Sequence, residues 1–229
     1  MNGIKPERFE NKSPKRAFIF TGGRDFRPEK MTDLPEYDDI IIAADSGCSL
    51  IGEFSKKQYE ISPDIILGDM DSYKGESVEK LYPNARFVPF PPEKDDTDTA
   101  LAVSVALELG CESIIIAGGL GGRLDHTLAN VYLLEHIKEQ GSVGIITDGK
   151  NRAYLAKSKN VISPARKYLS LIPLDDCVFG ISMDENFKYP YQTEKLFRKR
   201  FVTVSNEIVS EKALITLEKG SALIVESGD

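Results

Sequence analysis

Short apolar runs alternate with stretches of helical periodicity from residue 17 to about residue 138, and this alternation sets the fold class. Residues 17–20, 40–44, 65–67, 86–88 and 113–117 read as strands. Residues 49–56, 77–82, 99–109 and 124–138 read as helices. Strands of nearly unbroken apolar character are those buried on both faces, as in a parallel sheet covered by helices. The expectation is therefore an α/β domain with a Rossmann-like, mostly parallel sheet and flanking helices. Ligands of such sheets sit outside the carboxyl ends of the strands. Most of the unusual Gly and Asp residues of this chain fall at those ends.

The pattern changes after Gly141. Ile145-Ile146-Thr147 runs into Asp148-Gly149, a turn signal, and helical periodicity stops. Short β-type stretches follow at 168–172, 201–204, 213–217 and 222–225, with Lys219-Gly220 placed as a hairpin turn would be. The expected organisation is a flexible extension over 1–16, an α/β domain over 17–142 and an all-β sandwich or barrel over 143–229. A β domain of that size has a limited core of its own.

Composition narrows the function. A net charge of −7 and a pI near 5.1 argue against non-specific nucleic-acid binding. They are compatible with an anionic nucleotide when a divalent cation mediates between carboxylate and phosphate. Three scattered cysteines without a CxxC pair point to a reducing compartment and no structural zinc. The first sixteen residues are polar and charged, and no apolar run approaches the roughly 18 residues a membrane helix needs. A cytoplasmic protein with no membrane partner is the expectation.

Four constellations carry chemistry. The first is Asp45-Ser46-Gly47 after the second strand, where Asp45 either caps the next helix or faces a ligand. The second is Pro63-Asp64 leading to Gly68-Asp69-Met70-Asp71-Ser72, whose paired carboxylates suit Mg²⁺ or a solvated turn. The third is Asp95-Asp96-Thr97-Asp98 before a helix. Capping and the helix dipole explain one or two of these aspartates, and a cation would relieve the repulsion among three. The fourth is Gly118-Gly119-Leu120-Gly121-Gly122-Arg123-Leu124-Asp125-His126, between a strand and a helix. Its glycines permit close backbone approach, the helix start offers N–H groups to a phosphate, and Arg123 can add a bidentate contact. It is neither a P-loop nor GxGxxG. His126 stands where a polar contact to the ligand is expected, and His136 reads as structural or solvent-facing. No nucleophile elbow is present.

The order and spacing of these motifs closely resemble the thiamine pyrophosphokinase family. Phe187-Lys188-Tyr189-Pro190 and Ser205-Asn206 extend the resemblance through the β domain. It implies transfer of the pyrophosphoryl group of ATP to the hydroxyl of thiamine, giving thiamine diphosphate and AMP. It implies Asp69, Asp71, Asp95 and Asp98 as the catalytic, Mg²⁺-holding cluster, with Asp45 beside it. Gly119, Gly121, Gly122 and Arg123 would contact the phosphates, and Asp125 would orient Arg123 or a ligand group. Thr97, Ser205 and Asn206 would bind substrate, the last two from the second protomer of a homodimer. One aspartate of the cluster would accept the hydroxyl proton. The chain departs from the family in having no Trp, and in carrying Asn186-Phe187 where a glycine is frequent. Two other readings keep part of this chemistry: a pyrophosphokinase acting on another alcohol such as a hydroxymethyl pterin, and a non-catalytic thiamine or nucleotide sensor.

Overall fold

A computed structural model describes residues 15–68, 78–88 and 96–228. The chain forms two compact units, residues 1–149 and 150–229.

The first unit is built on β1 (Arg16–Phe20), β2 (Ile40–Ala44), β3 (Ile65–Leu67), β4 (Arg86–Val88), β5 (Ser113–Ala117) and β6 (Val143–Thr147). They lie in the order β4-β3-β2-β1-β5-β6, and every neighbouring pair is parallel. β6 pairs with β5 from Val143 to Thr147, so these residues belong to the α/β unit. The helices are α1 (Gly47–Lys57), α2 (Val78–Leu81), α3 (Asp98–Glu108) and α4 (Leu124–Glu139).

Successive residues of a strand point to opposite faces. On one face Phe18, Phe20, Ile41, Ala43, Ile66 and Ile115 pack with Leu50, Ile51 and Phe54 of α1. Phe20 meets Phe54 edge-on, with ring centroids 5.8 Å apart. The opposite parity, Ala17, Ile19, Ile40, Ile42, Ile114 and Ile116, is also fully buried, which accounts for the unbroken apolar runs. α3 packs on β1, β2 and β3, and α4 packs on β6 and α3.

Arg16 opens β1 rather than ending a flexible segment. Its Nε donates to Asp39 Oδ1 at 2.8 Å and its Nη2 to Asp39 Oδ2 at 2.7 Å. Asp39 is buried and also accepts from the Glu36 amide at 2.7 Å. This pair ties the start of β1 to the residue before β2, at the end of the sheet opposite the strand carboxyl ends. Asp64 acts at that same end: its Oδ2 accepts from the Ile41 amide at 2.9 Å, which fixes β3 beside β2.

The second unit contains β7 (Arg152–Leu155), β8 (Lys159–Ile162), β9 (Tyr168–Pro173), β10 (Cys177–Met183), β11 (Tyr191–Phe197), β12 (Ala213–Thr216) and β13 (Ala222–Ser227). β13 pairs antiparallel with β7 and β9. The other sheet, β11-β10-β12-β8, is antiparallel throughout. Leu169, Leu171 and Ile224 from the first sheet meet Val178, Ile181, Met183, Leu196 and Ile215 from the second in one core, so the unit is a β-sandwich. Two sequence expectations change. Residues 201–204 form a turn, with Phe201, Val202 and Val204 exposed, and the strand is β11 instead. Lys219-Gly220 does not close a hairpin, because β12 and β13 belong to different sheets. It is the crossover between them.

Candidate active site

The strand order reverses between β1 and β5. From β1 the chain builds outward through β4, then returns to place β5 on the other flank of β1. The loops leaving two such strands diverge and leave a crevice at their carboxyl ends. A cavity of about 360 Å³ lies there. Thr21 to Arg24, after β1, line it together with Gly118, Gly119 and Gly121 to Arg123, after β5. Thr21 N donates to Ala117 O at 2.9 Å and Gly118 N to Thr147 O at 2.7 Å, so both loops start from fixed points.

The glycines have separate tasks. Gly118, Gly121 and Gly122 have φ of +78°, +83° and +74°, which a side chain would resist. Gly119 is buried, and a Cβ there would come within 2.7 Å of Ile146 and 2.8 Å of Ile116. Its carbonyl accepts from Asn130 Nδ2 at 2.9 Å. Asn130 is a buried polar residue of α4 that also lines the cavity. It holds the loop from behind while Gly121 and Gly122 stay exposed.

Arg123 is the N-cap residue of α4, without a side-chain cap, and is exposed. Its guanidinium grips Asp125 in a fork, Nε to Oδ1 at 3.1 Å and Nη2 to Oδ2 at 2.6 Å. The hydrogen bond from Arg123, helped by the His126 amide, lowers the Asp125 carboxyl to about 2. The same bond raises the Arg123 guanidinium. His126 lines the cavity from the first turn of α4. His136 lies in the last turn of α4 and is exposed.

Asp45 and Asp98 line the same cavity. Asp45 follows β2 with φ +51°, a left-handed conformation that Asp tolerates better than most side chains. Its amide donates to Leu67 O at 2.9 Å. It does not cap α1: the N-cap position is Ser46, whose Oγ lies 3.4 Å from Asp45 Oδ2. On α3 the cap is Thr97, whose Oγ1 accepts from Ala100 N at 3.2 Å. Asp98 is the first helical residue. Gly68, at the carboxyl end of β3, has φ +133°, and a Cβ there would lie 3.4 Å from Asp45 Cα and 3.8 Å from Asp98 Oδ1. A side chain at 68 would fill the space between the two aspartates.

Asp69, Asp71 and Asp95 lie outside the described residues. Among the described residues, hard oxygen donors stand beside a glycine loop at a helix start. Among the described residues no three ligating side chains cluster; the pair Asp45 and Asp98 suits a divalent cation that keeps waters and shares phosphate oxygens.

Ser205 and Asn206 belong to the second unit. Ser205 is exposed with φ +57°, and its amide donates to Ser170 Oγ at 3.0 Å. Asn206 is buried. Its Oδ1 accepts from the amides of Tyr189 at 3.1 Å and Glu207 at 2.9 Å, and its Nδ2 donates to Tyr189 O at 2.7 Å. The carboxamide is thus committed to the Lys188-Tyr189 segment, where Lys188 also pairs with Glu207 at 2.8 Å. Tyr189 is left exposed.

Sequence reasoning passed over the Thr21-Gly22-Gly23-Arg24 loop and Asn130. Two glycines after the first strand of a parallel sheet were the available signal for the loop. For Asn130 it was a lone carboxamide on an otherwise apolar inner face of α4.

Comparison with known proteins agrees across both units. A family model described as "Thiamin pyrophosphokinase, catalytic domain" matches residues 31–146, and one described as "Thiamin pyrophosphokinase, vitamin B1 binding domain" matches residues 157–222. A thiamine pyrophosphokinase of Bacillus subtilis is 29% identical over 181 residues, covering 74% of this chain and 80% of the relative. Thiamin pyrophosphokinase 1 of Caenorhabditis elegans is 26% identical over 183 residues, covering 74% and 71%. The crystal structure of a thiamine pyrophosphokinase from Bacillus subtilis superposes with a TM-score of 0.83 at 25% identity, over 94% of this chain and all of that one. One from Geobacillus thermodenitrificans gives 0.76 at 26% identity, over 93% and 98%.

Proposed function

The chain belongs to the thiamin pyrophosphokinase family, and from that premise we propose that it transfers the pyrophosphoryl group of ATP to the hydroxyl of thiamine, yielding thiamine diphosphate and AMP. The observation that carries the proposal is the cavity at the β1/β5 reversal, where a glycine loop and two aspartates meet. The match of residues 157–222 to a vitamin B1 binding domain favours thiamine over a pterin as acceptor. It also disfavours a nucleotide-only sensor.

In this reading the thiamine hydroxyl oxygen bonds to the β-phosphorus of ATP, the bond to the α–β bridging oxygen breaks, and AMP departs. The exposed backbone at Gly121 and Gly122, the start of α4 and Arg123 hold the phosphates in line. Asp45 and Asp98, with Asp69, Asp71 and Asp95, would hold Mg²⁺, which neutralises charge on the transferred group. A carboxylate of this cluster accepts the hydroxyl proton. The acidic cleft also favours the positive thiazolium ring of thiamine. Thr97 contacts substrate, as do Ser205 and Asn206 from the second protomer, where Asn206 also holds the Tyr189 backbone next to Ser205. We further propose a homodimer. A cytoplasmic setting is supported by three unpaired cysteines, two of them buried. Among the described residues no helix is long and apolar enough to cross a membrane.

The test is incubation of the purified protein with ATP, Mg²⁺ and thiamine, following AMP and thiamine diphosphate by chromatography. Both products are expected in equal amounts. Absence of both refutes the reading, and AMP formed only with another alcohol would reassign the acceptor.

A further inference from the structure

The loop after β1 brings a second arginine to the cavity. Residues 23–25 run along residues 118–122, and at Gly23 and Gly118 backbone nearly touches backbone. A Cβ on Gly23 would overlap the Gly118 carbonyl, and one on Gly118 would lie 3.1 Å from Thr21 O and 3.4 Å from Gly23 N. A Cβ on Gly121 would lie 3.5 Å from the Asp25 side chain, and one on Gly122 would lie 4.0 Å from Arg24 N. The glycine loop therefore fixes where the Arg24 backbone emerges. Arg24 is exposed and lines the cavity with Arg123.

The two arginines differ in electrostatic state. Arg123 is held in a fork by Asp125, so an incoming anion must share the guanidinium with that carboxylate. Arg24 makes no ion pair with any of the described residues. The acids around it are Asp25, which lies against Gly121, and Asp45 and Asp98, which line the same cavity. A polyphosphate carries more negative charge than one half-compensated guanidinium can balance. The Arg24 guanidinium gives up no ion pair with the described residues on binding, and its planar fork matches two phosphate oxygens.

We propose that Arg24 is a binding residue for the β- and γ-phosphates of ATP, acting beside Arg123 at the rim of the cavity. The assignment rests on the nucleotide reading of this site, and it adds a contact from the β1 loop to those of the β5 loop. Arg24 contributes positioning and charge neutralisation at the end of the nucleotide that is transferred.

The experiment compares the full chain with Arg24→Gln and Arg24→Lys. Arg24→Gln is expected to raise the KM for ATP about tenfold or more, with the KM for thiamine changed by less than about twofold. Arg24→Lys should recover only part of the loss, because an ammonium lacks the fork. Calorimetric titration without thiamine should show ATP binding weakened in Arg24→Gln and AMP binding unchanged. The thermal midpoint should not move, since Arg24 is exposed. An unchanged KM for ATP overturns the proposal, and so does equal weakening of ATP and AMP. If wild type binds ATP, Arg24→Gln binds it weakly and neither converts thiamine, the reaction assignment fails and the Arg24 assignment stands. A wild-type protein that binds no ATP overturns both.

Discussion

Asn130 Nδ2 donates to the carbonyl of Gly119 across 2.9 Å inside the first unit, joining α4 to the loop that opens it. The loop turns back onto its own helix through this bond, so the N–H groups beyond Gly119 are aimed by a side chain two turns further along α4.

Replacing Asn130 by Asp keeps the shape and removes the donor. The carboxylate would then face the Gly119 carbonyl oxygen, and the KM for ATP should rise about tenfold, with a stability loss of about 1–3 kcal/mol. A protonated carboxyl can donate where a carboxylate cannot. The ATP affinity of Asn130→Asp should therefore improve as pH falls, relative to wild type. Steady-state kinetics across pH check this, and parallel profiles for the two proteins would refute the clasp.

Arg123 holds the Asp125 carboxyl down to about 2. A depressed carboxylate keeps its charge at any pH above the ordinary carboxylate range and loses it only as pH falls toward about 2. The pair is thus unchanged near neutral pH, and the pH dependence of ATP binding there must come from other groups. Carboxyl NMR should find the Asp125 midpoint well below those of exposed aspartates. In Arg123→Ala the midpoint should return to the ordinary range.

Asp98→Asn should raise the Mg²⁺ concentration for half-maximal rate by about tenfold or more. Thr97 remains as the cap of α3, so the thermal midpoint should shift little. A magnesium titration of initial rates is the measurement, and an unchanged requirement would remove Asp98 from the cation site.

Arg16→Met removes the guanidinium fork from the buried Asp39 carboxylate. A loss of about 3 kcal/mol is expected from urea denaturation. Adding Asp39→Leu should recover part of it, because the carboxylate then left without Arg16, that of Glu36, is exposed. The KM for ATP of the folded fraction should not change, since this pair lies at the far end of the sheet.

The first unit was legible because its strands are buried on both faces and its polar residues gather where strands end. Fully buried runs such as Ile65–Leu67 leave little choice of state. The β-sandwich was harder. Tyr191–Phe197 reads as polar, and only Leu196 is buried, because β11 is an edge strand. The Phe-Val-Thr-Val run at 201–204 has β-type composition but forms a turn. Thr203 alone is buried there, bonding Leu171 with both its backbone and its hydroxyl. Composition cannot distinguish a strand from an apolar turn anchored at one residue. In the candidate site, aspartates and glycines were visible as motifs, but their division of labour was not. Asp64 sits within the acidic motif and yet serves the opposite end of the sheet. Asn206 reads from the motif as a ligand contact, and the structure adds that its carboxamide holds Tyr189 within its own unit. Such commitments depend on partners distant in sequence, which local pattern does not reveal.

Where the β1 and β5 loops meet, Gly23 lies against the main chain of Gly118, with no room for a carbon at Gly23. Side-chain exchange cannot reshape that contact, because neither glycine has a side chain to exchange. Anyone retargeting this pocket to a different phosphorylated donor would have to work from its rim, at Arg24, Thr97 and His126.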